Sequence, residues 1–102
     1  MTERTIKWIN FGSHLKGLII VDKFDAKVEE YLKYYEILQR SSNQRLVKDV
    51  YTEELFIVVR ASENIKGRRT NHMILDNRIE DDIVNLICLP LLVGVNRKVE
   101  IF

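Results

Sequence analysis

Four consecutive apolar residues, Leu18-Ile19-Ile20-Val21, stand between Gly17 and Asp22. Side chains along a strand alternate between its two faces, so a strand made of this run presents a large apolar group on both and has to be covered on both. Leu55-Phe56-Ile57-Val58-Val59, closed by Arg60, repeats the pattern and is the clearest strand of the chain. Met73-Ile74-Leu75, closed by Asp76, repeats it in shorter form.

After Asp22 the period changes. Phe24, Val28, Tyr31, Leu32, Tyr35 and Leu38 fall on one stripe of a helix, with Lys27, Glu30, Lys33 and Arg40 elsewhere on the wheel. The pattern predicts an amphipathic helix from Phe24 to Arg40, capped by Asp22 or Asp25 and stopped by Ser41 to Gln44. A second helical stripe, Ile79, Ile83, Leu86, Ile87 and Pro90, follows Asn77 and Glu80, which have the spacing of a capping box. Pro90 removes the N–H that would bond the Leu86 carbonyl and should kink or shorten this helix, and Gly94 suits its end. Further strands are expected at Thr5–Phe11, Arg45–Tyr51 and Lys98–Phe102.

The order strand, loop, strand, helix, strand therefore occurs twice. Lys16-Gly17 matches Lys66-Gly67, Asp22 matches Asp76, and Phe24 matches Ile79, while the offset between copies grows within the loop containing Gly67 to His72, where an insertion costs least. The expected architecture is α+β: two tandem ββαβ motifs, about 4–50 and 54–102, forming one pseudo-twofold domain with a groove at the seam.

A chain of 102 residues, 46% hydrophobic and 30% charged, suits one globular domain with a thin core. Its net charge of +1 supplies no global field toward nucleic acid or an anionic membrane. Glu3, Arg4 and Lys7 interrupt the apolar residues of the amino terminus, unlike a secretory signal, so an intracellular protein is expected. The single Cys88 excludes an intramolecular disulfide, and its apolar surroundings read as a buried small hydrophobe. Ile is abundant whereas Ala occurs only at positions 26 and 61. In this composition and in size the chain resembles the small proteins of hyperthermophilic archaeal viruses, the filamentous ones in particular.

Chemistry-bearing patterns are few. His14 and His72 read as loop or surface residues, and Asp22 and Asp76 as helix caps, although a matched pair of carboxylates can hold a metal or share a proton. The Walker, GxGxxG, HExxH, GxSxG and zinc spacings are missing, so neither catalysis nor a cofactor nor a metal is expected. Lys66, Arg68, Arg69 and His72 cluster around Gly67 as a phosphate-binding loop would require, which gives nucleic acid as the alternative partner.

The stretch Ile83 to Val95 carries Asn85 as its one strongly polar side chain and is too short for a bilayer, which needs about 20 apolar residues. A small domain has difficulty covering such a segment alone, so part of it is expected to meet another chain. The favoured function is a non-catalytic protein or peptide interaction module, with its ligand in the groove between motifs or along a strand edge. Trp8, Leu89, Leu92, Val99 and Ile101 are the candidate contacts, and the partner could be a second copy of the same chain.

Overall fold

The computed structural model describes residues 15–65 and 67–102. The three apolar runs become neighbouring strands: β1 (Leu15–Val21) lies between β4 (Leu55–Arg60) and β5 (His72–Leu75) and is parallel to both. Two further strands extend the sheet beyond β4, β3 (Gln44–Asp49) antiparallel to β4 and β2 (Tyr35–Arg40) antiparallel to β3. β6 (Lys98–Ile101) pairs in parallel with β5 on the other side. The sheet order is β2-β3-β4-β1-β5-β6, and β3 alone runs against the rest.

The need to cover both faces is met by one helical segment on each. The short helix α1 (Ala26–Leu32) buries Val28 and Leu32 against Ile19, Val21, Val47, Phe56, Val58 and Ile74. On the opposite face Ile87, Cys88 and Leu91 pack on Leu18, Ile20, Leu46, Ile57, Val59, Met73 and Leu75. The molecule is thus a mixed α+β domain in three layers, and the odd and even residues of β1 point into two separate cores.

Two local readings need correction. Only residues 26–32 of the expected 24–40 helix are helical, and Tyr35–Arg40 is β2. Tyr35 and Leu38 satisfy a helical stripe, but Tyr35 and Ile37, aromatic and β-branched, also suit a strand, and pairing with β3 decides between the two. Ser41 to Gln44 is accordingly a hairpin turn, in which the Ser41 N–H donates to the Gln44 carbonyl at 2.9 Å and the Ser41 Oγ accepts from the Gln44 N–H at 3.2 Å. The expected Asn77–Glu80 capping box is not formed: Glu80 makes no side-chain cap bond, and the Asn77 amide oxygen accepts instead from Lys27 Nζ. Asp25, one of the two candidates, does cap α1, through the Val28 N–H.

The second apolar helix adapts to Pro90 in three steps. An α turn, α2 (Asp81–Ile83), widens into a π turn over Val84–Cys88, where the Leu89 N–H reaches the Val84 carbonyl, and closes as a 3-10 turn over Leu89–Leu91. Pro90 has no N–H to return to Leu86, and the wider turn is a local solution that ends the helix soon afterwards.

The paired glycines serve different ends. Gly17 lies within β1, and a Cβ there would sit 2.2 Å from the His72 carbonyl oxygen, so only glycine lets β5 approach β1. Gly67 has φ of +94° in open space, a turn conformation. The expected strand at residues 5–11, and with it Trp8 and His14, lies outside the described residues.

Candidate functional site

β1 and β5 are adjacent, and the connections that follow them leave on opposite faces of the sheet. In an open sheet such a switch point opens a crevice at the carboxyl ends of the strands. Here it is occupied by side chains. Asp22 ends β1 and Asp76 ends β5, so the two aspartates matched in the sequence come together, the Asp22 N–H donating to Asp76 Oδ2 at 3.0 Å.

Asp76, 1% exposed, also accepts from the Arg78 N–H at 2.9 Å, from Arg78 Nε at 3.1 Å and Nη2 at 2.8 Å, and from Lys27 Nζ at 3.4 Å. The Arg78 guanidinium also bridges to both oxygens of Asp25. Burial alone would raise the Asp76 carboxyl; the Arg78 bonds, the two backbone donors and the Arg78 charge outweigh it and hold the group well below the usual carboxylate range. The Arg78 bond likewise lowers Asp25. With the acceptor sites of Asp76 taken up by internal donors, this constellation ties α1, β1 and β5 together, and the Asp76 carboxylate serves the fold. Among the described residues no group of three or more His, Cys, Asp or Glu is placed to hold a metal ion.

Among the described residues, Arg68, Arg69 and His72 of the basic loop do not converge. Arg68 donates through Nη2 to Gln44 Oε1 at 2.7 Å and lines a hollow of about 240 Å³ with Asn43, Arg60, Ser62 and Asn64. Arg69 borders two other hollows, beside Gly17 and beside Pro90. His72, read as a loop residue, is buried in β5 under the edge of Phe56, with Nε2 2.6 Å from Glu100 Oε2 on β6. Its place in a strand was masked by the polar residues before it. Lys66 lies outside the described residues.

The edge of β6 carries two exposed apolar groups, Val99 and Ile101, while Tyr34, Val50 and Tyr51 are exposed beside β2 and β3. All four residues of β6 are exposed, and β5 is its one neighbouring strand among the described residues. Val99 and Ile101 are in register with Met73 and Leu75 and share their face of the sheet, the face covered by the 81–91 segment. Both remain open, Ile101 at 69%, and Leu86 and Val95 are exposed nearby in sequence at 74% and 79%. Lys98 and Glu100 occupy the other face, with His72. Leu89 reaches the surface, whereas Leu92 turns partly inward against the core, held by a parallel bridge to Thr70.

The β6 backbone is oriented by its pairing. The Lys98 N–H donates to the Asn71 carbonyl and the Phe102 N–H to the Leu75 carbonyl, so the even-numbered residues point toward β5. Peptide groups alternate along a strand, so the N–H and C=O of Val99 and Ile101 point away from the sheet. Comparison with protein families, with curated proteins and with solved structures found no significant match in any of the three. No helix among the described residues is long and apolar enough to cross a membrane.

Proposed function

We propose that the chain is a non-catalytic protein-interaction module working inside the cell, and that it takes an extended segment of its partner as an added strand along β6. The observation that carries this reading is the outward row of peptide groups at Val99 and Ile101, flanked by their own exposed side chains. Natural sheets protect such edges with short strands, charged side chains, bulges or prolines; β6 is short and carries Lys98 and Glu100, but it has neither bulge nor proline among its four residues. Main-chain bonds would supply affinity, and apolar contacts on the 81–91 side would supply selectivity.

The two-motif reading belongs to the same proposal. In its favour are the junction of Asp22 with Asp76 and the crossovers β1-α1-β2 and β5-to-β6 on opposite faces. The copies differ: β3, at the expected closing strand of the first motif, runs antiparallel beside β4 and away from β1, β2 has no counterpart, and β6 runs parallel beside β5.

A peptide array of extended segments, alternating apolar and charged residues, tests strand addition. Val99→Pro removes the outward N–H without touching a bond to β5, a position where an edge strand tolerates proline. Retention by the wild-type chain and loss in Val99→Pro is the expected outcome; equal retention by both would overturn the reading.

A further inference from the structure

Strand addition at β6 leaves open which strand is added, and the residues of β6 themselves restrict the choice. We infer, on the basis of that reading, that the partner is a second copy of this chain, its β6 antiparallel to the first with Val99 facing Val99 across a twofold axis.

The outward peptide groups belong to odd-numbered residues, so an antiparallel partner of the same sequence must pair odd with odd. Near the middle of the strand that leaves three registers. Pairing Val99 with Ile101 sets Glu100 directly opposite Glu100 of the second copy. Pairing Arg97 with Val99 sets Lys98 opposite Lys98. Like charges directly opposite are destabilising, and both registers are disfavoured.

In the remaining register Val99 meets Val99, and Lys98 faces Glu100 of the second copy on each side of the axis. These two ion pairs fall at non-hydrogen-bonded positions, where facing side chains come closest. On the other face Ile101 lies opposite Arg97, whose aliphatic stem can cover it. One register thus satisfies the backbone, matches the charges twice and covers the exposed apolar residues, and it joins two six-stranded sheets into one.

Glu100 already bonds His72 at 2.6 Å and lies 3.8 Å from Lys98 of its own strand, and both partners remain on the same face after pairing. The incoming lysine adds to this group without displacing it.

Light scattering of the full chain over a concentration series, with hydrogen exchange read at Val99 and Ile101, tests the inference. A dimer is expected, with slowed exchange at both amides. Lys98→Glu should weaken dimerisation about tenfold or more by placing like charges opposite each other twice, and Lys98→Glu with Glu100→Lys should restore it. Thermal unfolding of each variant at low concentration separates loss of pairing from loss of fold. A wild-type chain that stays monomeric with fast exchange at Val99 overturns the inference, and the array still decides strand addition by another partner. A monomer with slow exchange at Val99 overturns it in favour of another occupant of the same chain, with residues 5–11 as the segment to delete. A dimer indifferent to charge reversal overturns it in favour of another surface.

Discussion

Asp76→Asn replaces a carboxylate by a group of the same shape and tests what the junction of β1, β5 and α1 contributes. The wild-type oxygens accept from Asp22, Lys27 and three donors of Arg78. An amide offers one acceptor oxygen and turns its NH₂ toward N–H groups, so at least one buried donor loses its partner. Breaking a buried ion pair costs about 3–5 kcal/mol. Arg78 keeps Asp25 and is 29% exposed to water, which sets the expectation at the lower end, about 3 kcal/mol. With a urea slope of about 1–2 kcal/mol per molar, the denaturation midpoint should fall by about 1.5–3 M at neutral pH.

The acid limb gives an independent reading of the same group. Asp76 has a lower pKa folded than unfolded, so its contribution is fully present above the unfolded value, about 3.9, and fades as pH falls below it. The gap between wild type and Asp76→Asn should therefore be constant from pH 7 to about 5 and narrow toward pH 2. Circular dichroism in urea at four or five pH values measures both effects. A midpoint within about 0.3 M of wild type at pH 7, or a gap that widens in acid, would refute the reasoning.

Gly17→Ala should destabilise by about 3 kcal/mol, the upper end for overpacking, because the new methyl meets a backbone carbonyl that moves only with β5; urea unfolding reads it directly. Cys88, fully buried with its thiol pushed up by burial to about 11, should resist a thiol reagent at pH 8 until denaturant is added, and prompt labelling of the native chain would contradict its place in the core. Leu46→Ala, at 0% exposure, should cost about 3–5 kcal/mol by thermal or chemical denaturation. Arg68 and Arg69 border different hollows, so no retardation of a short DNA duplex is expected at low salt; a shift abolished by Arg68→Ala plus Arg69→Ala would favour a phosphate-binding loop.

The apolar runs were legible because a strand covered on both faces leaves an unambiguous mark, and β1, β4 and β5 follow their boundaries closely. The run from Tyr35 to Arg40 was not, since six residues of mixed polarity satisfy two periods at once and a partner strand, remote from the pattern, chose between them. Asp22 and Asp76 read as matched carboxylates or helix caps, but the bond between them uses the Asp22 backbone N–H. Capping is a contact within a few residues, whereas their actual bond joins positions far apart in the chain. Arg78, which organises that junction, sits at an ordinary place after Asn77 and gave no signal. The placement of β1 between β4 and β5 was beyond reach for the same reason. Lys98–Phe102 was legible as a strand, and the self-matching order of its charges can be read once the outward side of β6 is known.

β1 lies at the centre of the sheet although the strands on either side of it are made much later. During synthesis Leu18 to Val21 would emerge with neither neighbour available, and β4 could not complete the arrangement before β5 followed. Contacts this distant along the chain slow folding, because loop closure precedes any gain from pairing. A nascent chain cut off before His72 would have α1 to cover one face of β1 but neither β5 nor the 84–91 segment for its other edge and face, leaving apolar surface as a target for a chaperone until residues 72–102 arrive.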